Sequence, residues 1–428
     1  MRILIIGAGG VGDAIAKVAA TRSFYELVVL ADFDQRRCDA TISWIEAKHG
    51  NEVAGLFVSE RIDASSAADV TELIRQYDVT HVVNAVEPRF VPTIFSGTFT
   101  AGANYIDMAM SLSEPHPDDP FHKTGIKLGD AQFAVNEQWE RAGRLALVGA
   151  GVEPGLSNIL ARYAAQNQFS EITEIAVRDG ANLVVHDEAG KPIFAPSFSI
   201  WTTIEECLNP PVIYEEGKGW FTTEPFSEPE IFEFPEDIGP VECVNVEHEE
   251  VLMLPRTIKA DRVTFKYGLG SEFIGVLKTL QMLGLDRTRP AKVRSLQGPV
   301  DVSPRDMVAA VLPDPAKIGP VMTGKTCAGV LVRGKDHDGR DRATYLYHVL
   351  DNEFAVNEFD SQCVVLQTAF VPVCALELMA EGIWQGEGVL GPDSFDAEPF
   401  LHLLASSEGY KQRWVSQERL PAVPLRNP

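Results

Sequence analysis

The chain has 428 residues, a net charge of −24 at pH 7 and an isoelectric point near 4.8. This length exceeds what one compact core usually holds and predicts two domains. The strong acidity argues against nucleic acid or an anionic membrane as a partner. We expect no membrane-spanning segment, because no apolar run approaches the required length, and no signal peptide, because the N-terminus has the pattern of a strand.

Six cysteines are scattered along the chain without a Cys-x-x-Cys motif or any paired spacing. In a chain of this size such cysteines are typical of reduced, mostly buried thiols, and they predict a cytoplasmic protein. They give no support to a zinc site, and no metal site is expected. They occupy positions 38, 207, 243, 327, 363 and 374.

The first twelve residues run from an apolar strand into the motif Gly-x-Gly-x-x-Gly. Gly7 allows the tight turn out of the strand, Gly9 lets backbone N–H groups approach a pyrophosphate, and Gly12 lets the next helix pack on the sheet. Gly10 and Val11 begin that helix, whose N-terminal end favours phosphate groups. The motif predicts a dinucleotide site, and the alternative is a glycine-rich turn of an unrelated α/β protein.

Residues at three later strand ends extend this prediction. The second apolar strand ends at Asp32, whose carboxylate can accept both ribose hydroxyls of the adenosine half and repels a 2′-phosphate. Asp63 follows the third strand and is expected beside the adenine ring. The segment Asn84-Ala85-Val86 ends the fourth strand, where a nicotinamide ribose would lie. We therefore expect NAD as the cofactor, with NADP as the alternative.

The first 150 residues alternate between strands and helices, which predicts a doubly wound parallel sheet of the Rossmann type. Right-handed crossovers make six parallel strands the expected assembly. The strands are expected at 2–6, 26–31, 56–59, 80–86, 104–107 and 145–149. The helices are expected at 10–22, 35–49, 66–77, 91–102 and 129–143.

From about residue 170 the alternation stops, and the pattern predicts a second α+β domain with an antiparallel or mixed sheet. Its strands are expected at 172–186, 210–223, 240–254, 262–268, 326–334 and 343–351. Its helices are expected at 154–166, 199–208, 271–283 and 303–312. The pattern of 365–383 and 399–404 is again helical, and this C-terminal segment is expected to return to the Rossmann domain, with the last nine residues trailing over the surface.

Three segments follow from this pattern. Residues 1–150 are expected to form the dinucleotide-binding domain, and residues 151–364 the domain for substrate binding and dimerisation. Residues 365–428 are expected to supply helices that pack back on the Rossmann domain.

Ligands of doubly wound sheets collect beyond the carboxyl ends of the strands. Two carboxylates are predicted there. Asp107 closes the strand 104–107, and Glu153 lies in the glycine-rich link from the last strand to the second domain. We expect both to stabilise a cationic intermediate, and the alternative for each is an ordinary loop residue.

The densest polar cluster of the second domain is His248-Glu249-Glu250, which an apolar run follows. Two carboxylates beside an imidazole can hold the ring and raise its pKa, as a proton carrier requires. The alternative is a solvated strand face with a half-exposed histidine. Arg256 and Lys266, both expected on strands, are predicted to hold a substrate carboxylate, and the alternative is that they are surface residues.

The predicted start of the helix 199–208 combines hydroxyl groups with a large aromatic side chain. Trp201, Thr202 and Thr203 are expected to line the substrate pocket. The alternative is that they cap the helix against the core.

Taken together, these motifs resemble the saccharopine dehydrogenase family, and the likeness runs from Gly7 to about Leu404. Beyond the glycine motif and His248-Glu-Glu250, its markers are Asn84-Ala…Pro88, Tyr105-x-Asp107, Gly149-Ala-Gly-x-x-Pro-Gly155, Leu312-Pro-Asp-Pro315, Gly324-x-Thr-Cys327 and Gly388-Val-Leu…Glu398-Pro-Phe-Leu401. The resemblance implies an NAD(P)-dependent enzyme that acts on a C–N bond of an amine or amino-acid substrate. It also implies a homodimer.

Within this family the resemblance extends to enzymes that reduce the imine of an amino-acid-derived aldehyde and an amine, of the saccharopine or carboxynorspermidine type. One alternative is an NAD-dependent lysine 6-dehydrogenase, and another is a dinucleotide-binding sensor without catalysis. Relatives that use NADP usually carry Ser-Arg where this chain has Asp32-Phe33, although Arg36 and Arg37 remain within reach of a 2′-phosphate. In the expected mechanism Asp107 and Glu153 stabilise the iminium and His248 exchanges the proton.

Overall fold

The computed structural model describes residues 1–296, 298–407 and 409–419. The last nine residues, which were expected to trail over the surface, lie outside the described residues. Two sheets dominate the described part of the chain. The α/β fold class expected from the sequence is confirmed.

The first sheet is parallel throughout and belongs to the Rossmann domain. Its strands are β1 (Arg2–Ile6), β2 (Leu27–Asp32), β3 (Phe57–Arg61), β4 (His81–Asn84), β5 (Asn104–Asp107), β6 (Leu145–Leu147) and β20 (Gly388–Leu390). They lie in the order β20-β6-β5-β4-β1-β2-β3. Six strands were predicted, and the seventh, β20, comes from the C-terminal segment that returns to this domain.

Helices cover both faces of this sheet, as the hydrophobic strands require. They are α1 (Gly10–Ala19), α2 (Gln35–His49), α3 (Asn51–Ala54), α4 (Ala67–Gln76), α5 (Val91–Ala101), α6 (Asp130–Phe133) and α7 (Asn136–Arg141). The C-terminal segment adds α14 (Cys363–Ala380) and α15 (Ala397–Ser406). The single helix predicted at 129–143 is wrong, because the chain breaks at residues 134–135 into α6 and α7. Helix α14 packs against α1, which ties the C-terminal segment to the nucleotide-binding domain.

The second sheet has nine strands and is mixed. They are β7 (Glu171–Ala181), β10 (Val212–Glu215), β11 (Gly219–Thr222), β12 (Glu230–Phe234), β13 (Gly239–Asn245), β14 (Arg262–Gly268), β18 (Lys325–Lys335), β19 (Asp341–Asp351) and β21 (Trp414–Glu418). Strands β7 and β14 are parallel, and the other pairs are antiparallel. Strand β21 shows that the C-terminal segment also contributes an edge to the second sheet.

The remaining elements surround the second sheet. The helices are α8 (Leu156–Asn167), α9 (Ile200–Leu208), α10 (Glu250–Thr257), α11 (Gly270–Leu283), α12 (Pro304–Val311) and α13 (Asn352–Phe359), and the short strands are β8 (Val184–His186), β9 (Pro192–Ile193), β15 (Ala291–Ser295), β16 (Gly298–Val302) and β17 (Met322–Thr323). The strand predicted at 172–186 divides into β7 and β8. The strand predicted at 240–254 is wrong beyond Asn245, because helix α10 begins at Glu250.

Side-chain caps explain where several helices begin. The side chains of Asp34, Ser66, Ser199, Ser303 and Asp351 each accept a hydrogen bond from a backbone N–H in the first turn of the helix that follows. Such caps satisfy donors that the helix itself leaves unpaired, and each contributes about 1 kcal/mol.

Helix α14 is apolar and 18 residues long, with a mean hydropathy of 1.9. By length and composition it could cross a membrane, but 83% of it is buried inside the protein. It therefore packs as the central helix of a globular core, where it contacts α1 on one side and α15 on another. All six cysteine side chains are buried as well.

The link between the two domains is folded closely onto the ends of β5 and β6. The backbone N–H of Ala150 donates to the carbonyl of Asp107 at 2.7 Å, and that of Gly151 donates to the carbonyl of Pro154 at 2.7 Å. Gly149 and Gly155 have φ values of +64° and +135°, which side chains disfavour. The second domain is thus joined to the strand ends where ligands of this fold collect.

Candidate active site

The glycine motif forms a cradle at the start of α1. A Cβ on Gly12 would lie 1.8 Å from the carbonyl oxygen of Gly7, and one on Gly7 would lie 2.7 Å from that of Ala85. Nothing lies within 4 Å of a Cβ built on Gly9, which begins α1 without a side-chain cap. The close backbone packing and the open helix end fit the pyrophosphate of a dinucleotide. Gly10 and Val11 are the first two residues of this helix end.

Asp32 ends β2 beside this cradle. Its Oδ2 accepts a hydrogen bond from the backbone N–H of Ala8 at 2.7 Å, and its Oδ1 accepts one from that of Asp34 at 2.9 Å. These bonds hold the carboxylate at the edge of the glycine turn. Arg36 is one of the residues that could bind a 2′-phosphate. Its Nε and Nη2 donate to the two carboxylate oxygens of Asp34 at 2.8 and 2.7 Å.

The other predicted cofactor residues have local partners. Asn84 donates from Nδ2 to the hydroxyl of Tyr105 at 2.9 Å and accepts from the backbone N–H of Val86 at 3.2 Å. Asn84 therefore shapes the loop that packs on Gly7. Asp63 accepts from the backbone and hydroxyl of Ser65 at 2.9 and 2.6 Å, so it closes its own turn.

Asp107 lies in the interior at the end of β5. Its Oδ1 accepts from the backbone N–H of Gly149 at 2.7 Å, and its Oδ2 accepts from Nε2 of Gln132 at 2.8 Å. Burial raises the pKa of Asp107 to about 7, against the effect of these hydrogen bonds. With both oxygens engaged, Asp107 ties the domain link to the end of β5.

The predicted polar cluster is buried at the start of α10. Nδ1 of His248 is hydrogen-bonded to Oε2 of Glu250 and lies 3.5 Å from Oε2 of Glu249. The imidazole stacks on the ring of Phe265. The alternative of a half-exposed histidine on a solvated strand is wrong, because His248 is 5% exposed and lies at a helix start.

Neighbouring elements complete the shell of this cluster. Oε1 of Glu250 accepts from the hydroxyl of Ser157 at 2.8 Å, and Oε1 of Glu249 accepts from the backbone N–H of Met110 at 3.1 Å. Met110 belongs to the Rossmann domain, three residues after Asp107. The cluster therefore lies at the domain boundary, beyond the carboxyl end of β5.

Three further carboxyl groups, to which the sequence analysis assigned no role, surround the cluster. Asp179 on β7 is hydrogen-bonded to Glu153, Glu206 lies on α9, and Glu247 accepts from the hydroxyl of Ser113 at 2.8 Å. Glu153 also accepts from the backbone N–H of Gly329 at 3.2 Å.

Burial and mutual repulsion hold protons on this group of carboxyls. Burial raises the pKa of Glu206 to about 8, although the charge of His248 opposes the shift. Burial likewise raises the pKa of Glu247 to about 7 and that of Asp179 to about 6. The pKa of Glu153 also lies well above its ordinary value, because burial and the neighbouring Asp179 disfavour its charge.

His248 shifts in the same direction for a different reason. Burial alone would lower its pKa, but the charge and hydrogen bond of Glu250 outweigh burial, and Glu249 adds to their effect. The pKa of His248 rises to about 10, so the imidazole is cationic at neutral pH. The site thus contains one ion pair surrounded by carboxyl groups that can release protons near neutrality.

His248, Glu249 and Glu250 offer three ligand atoms within 4.8 Å of one another, as a divalent cation requires. However, the Glu250 and Glu249 oxygens also accept from Ser157 and Met110. The mutual ion pair therefore already satisfies this group without a metal.

Two predicted cations are not brought to this cluster. Arg256 lies on α10 and not on a strand, and its guanidinium packs 4.0 Å from the ring centroid of Phe133. Lys266 follows Phe265 on β14, so its side chain leaves the opposite face of the sheet from the ring that stacks on His248. Its Nζ lies 3.0 Å from Glu230.

The predicted pocket residues at the start of α9 divide into two kinds. Thr203 donates from its hydroxyl to the carbonyl of Ser199 at 3.0 Å, and the backbone N–H of Thr202 is capped by the Ser199 hydroxyl. These contacts belong to the helix cap. Trp201 instead donates from Nε1 to Asp306 at 3.1 Å and contacts residues of both domains.

Two family models match the chain. The model for the saccharopine dehydrogenase NADP binding domain matches residues 3–147, and that for the saccharopine dehydrogenase C-terminal domain matches residues 151–410. The first match supports a nicotinamide dinucleotide as the cofactor.

Two curated relatives match almost the whole chain. Carboxynorspermidine synthase of Vibrio alginolyticus is 29% identical over 429 residues, with 99% of each chain covered. Carboxyaminopropylagmatine dehydrogenase of a Synechocystis species is 26% identical over 404 residues, covering 94% of this chain and 95% of the relative. Both names describe enzymes with small amine products or substrates.

A solved structure shares the fold. It is the apo, histidine-tagged saccharopine dehydrogenase (L-Glu forming) of Saccharomyces cerevisiae, with a TM-score of 0.63 and 12% identity, covering 97% of this chain and 99% of that chain. The family models, the named relatives and the fold agree with the strand-end geometry, and together they identify an oxidoreductase. The chain belongs to the saccharopine dehydrogenase family.

Proposed function

We propose that the protein joins an amine to an aldehyde that carries a carboxylate and reduces their imine to a secondary amine. The observation that carries this proposal is the buried group of carboxyls around His248, at the domain boundary beyond β5. The names of these two relatives combine a carboxyl group with norspermidine and with an aminopropyl derivative of agmatine. We assign the same class of product to this chain.

The carboxyl group cluster suits an amine cation. At neutral pH most Glu206 carboxyls, with a pKa of about 8, and about half of the Glu247 carboxyls, with a pKa of about 7, hold a proton that an arriving cation would displace. Each carboxyl that loses its proton becomes an anion and pairs with the cation. This pairing is needed because an unpaired charge is costly in a buried site. The site therefore accepts an ammonium group and can remove its proton, which frees the nitrogen to attack the aldehyde.

The hydrogen-bonded pair Glu153–Asp179 suits the acid that this reaction needs. Addition of the amine gives a carbinolamine, which loses water only when its hydroxyl is protonated. A pKa near the working pH favours such transfer, and that of Asp179 is about 6. We assign proton donation to this pair. We assign a different role to the His248–Glu250 ion pair, which stabilises the surrounding carboxyl groups electrostatically. Asp107 acts as a positioning residue.

A bound nicotinamide supplies the hydride that reduces the imine. The residues that would hold the cofactor are those of the glycine cradle, with Asp32 at the adenosine ribose and the loop 84–86 beside the nicotinamide half. We propose NAD over NADP, because the carboxylate of Asp32 at the edge of the glycine turn repels a 2′-phosphate.

The test follows the consumption of reduced nucleotide with pairs of amines and aldehydes. We expect oxidation of NADH with a diamine or agmatine together with aspartate semialdehyde, and slower oxidation of NADPH. A lysine 6-dehydrogenase would instead reduce NAD when lysine is supplied alone. Failure of all amine and aldehyde pairs, with bound nucleotide demonstrated by titration, would refute the proposed reaction.

The predicted homodimer and cytoplasmic location are part of this proposal. Sedimentation equilibrium at micromolar concentration tests the dimer. A mass of one chain, near 47 kDa, would contradict it.

A further inference from the structure

Two guanidinium groups lie near the ring of Trp201. The ζ carbon of Arg305 is 4.7 Å from the centroid of this ring, and that of Arg89 is 5.8 Å away. Arg89 comes from the Rossmann domain, in the turn Pro88–Phe90 after β4, whereas Trp201 and Arg305 come from the second domain. The three side chains therefore meet across the domain boundary.

The place where these three side chains meet lies beside the position expected for the nicotinamide half of the cofactor. Arg89 follows the loop of Asn84 and Ala85 by a few residues, and the Ala85 carbonyl packs on Gly7 of the glycine cradle. On the other side, Trp201 shares helix α9 with Glu206 of the acidic cluster. Five residues of helix correspond to about 7.5 Å along the axis. The two places are therefore close to each other along this helix.

Arg305 is fixed by protein groups. Its Nε donates to the carbonyl of Asp286 at 2.6 Å, and its Nη1 is paired with Glu205. The side chain is 8% exposed, so these bonds determine how the guanidinium is presented. A fixed planar guanidinium is the group best suited to a carboxylate.

Arg89 is held more loosely. Its guanidinium is 47% exposed and lies 2.6 Å from Oε2 of Glu87. An ion pair at the rim of a site contributes little free energy, so a ligand carboxylate can replace Glu87 at small cost. Arg89 can thus turn toward a ligand while it remains near Trp201.

We propose that Arg89 and Arg305, both against the ring of Trp201, bind the carboxylate of the aldehyde partner. This inference rests on the proposed function, since it assigns a subsite for one of the two substrates. The cations first predicted for this task, Arg256 and Lys266, are engaged elsewhere. The amine is held among the carboxyl groups around His248 and the carboxylate at the arginine pair, so opposite charges orient the two reactants.

The experiment compares two aldehydes that differ only in the carboxylate, aspartate semialdehyde and 3-aminopropanal, at saturating amine and NADH. In Arg89→Ala and Arg305→Gln, kcat/KM for aspartate semialdehyde should fall at least tenfold, mostly through KM. The value for 3-aminopropanal should change less than threefold. Arg89→Lys should restore part of the loss, because it keeps the charge without the bidentate geometry. Arg141→Ala, on an exposed helix pair with Glu137, is the matched control and should behave as wild type.

An equal fall for both aldehydes in the Arg89 and Arg305 variants would overturn the assignment, because a general structural role predicts that result. A second readout does not depend on turnover. Homoserine and 3-aminopropanol are the alcohols that correspond to the two aldehydes, so they too differ only in the carboxylate. Calorimetric titration in the presence of NAD measures their binding. Wild type should prefer homoserine at least tenfold, and Arg89→Ala should lose this preference.

These readouts separate the two proposals. A protein that reduces neither aldehyde but still binds homoserine through Arg89 would refute the proposed reaction and support the carboxylate subsite. Equal affinity of the wild type for homoserine and 3-aminopropanol would overturn the subsite.

Discussion

The imidazole of His248 lies flat on the ring of Phe265, with 3.8 Å between the centroids and 8° between the planes. The stack fixes the plane of the imidazole, and Glu250 fixes its rotation by binding Nδ1. The two contacts come from β14 and α10, so the folded core of the second domain positions this side chain. A preorganised cation results, at the centre of the carboxyl groups described above.

Replacing Glu250 by Gln should move the alkaline limb of the kcat/KM profile. The charge and hydrogen bond of Glu250 help raise the pKa of His248 to about 10, and the amide removes the charge while keeping the shape. The limb should shift to lower pH by about one unit or more. Glu137→Gln, on an exposed helix, is the control. An alkaline limb that stays in place would mean that His248 does not control it.

The stability of the protein should fall as the pH rises above neutrality. The pKa values of His248, Glu206 and Glu247 are all raised by folding, to about 10, about 8 and about 7. A group with a raised pKa stabilises the folded state below its unfolded pKa, and this contribution is lost as the pH rises through the folded pKa. Thermal unfolding at pH 6 and pH 9 should show a lower Tm at pH 9.

Glu206→Gln supplies the control for this pH dependence. The amide cannot ionise, so the fall in Tm between pH 6 and pH 9 should be smaller than in wild type. A Tm that rises across this interval would contradict the protonated state that we assign to the buried carboxyls.

Asp32→Ser should shift the nucleotide preference toward NADPH. The substitution removes the charge that repels a 2′-phosphate and also the anchor to the backbone of Ala8. The ratio of the Kd values for NADPH and NADH should fall about tenfold, which corresponds to about 1.4 kcal/mol. Fluorescence titration measures both constants, and Asp63→Ser is the control. A ratio unchanged by the substitution would remove Asp32 from cofactor selection.

Asp107→Asn should weaken the domain link. The amide nitrogen would face a backbone N–H of Gly149 or the amide of Gln132, which leaves a buried donor unpaired at a cost of about 1–3 kcal/mol. We expect a lower Tm and lower kcat with little change in the Kd for NADH. A variant with normal Tm and a normal link but no turnover would instead assign Asp107 a direct part in the chemistry.

Local motifs made the nucleotide-binding half predictable from sequence. Each of these motifs lies within one strand–turn–helix unit, so its residues are neighbours in both sequence and structure. This holds for the spacing of Gly7, Gly9 and Gly12 and for the position of Asp32. The seventh strand could not be read in the same way. Gly388–Leu390 has three residues and pairs with a strand more than 240 positions away, so nothing local marks it.

The site in the second domain was predictable only in part. His248, Glu249 and Glu250 are adjacent in sequence, but the apolar run that follows them favoured a strand where a helix begins. Asp179 and Glu206 come from separate elements, and only the packing of β7 and α9 brings them to the cluster. Burial, which decides their pKa values, has no local signal in the sequence.

The most direct test counts the protons released when an amine binds. Calorimetric titration of 1,3-diaminopropane into the NAD complex at pH 7, in two buffers of different ionisation enthalpy, gives this number. We predict release of roughly half a proton or more per amine bound, because an arriving cation ionises carboxyls whose pKa values lie near or above 7. Glu206→Gln should release fewer protons. Binding without proton release would contradict the assignment of the buried carboxyls around His248 to the amine.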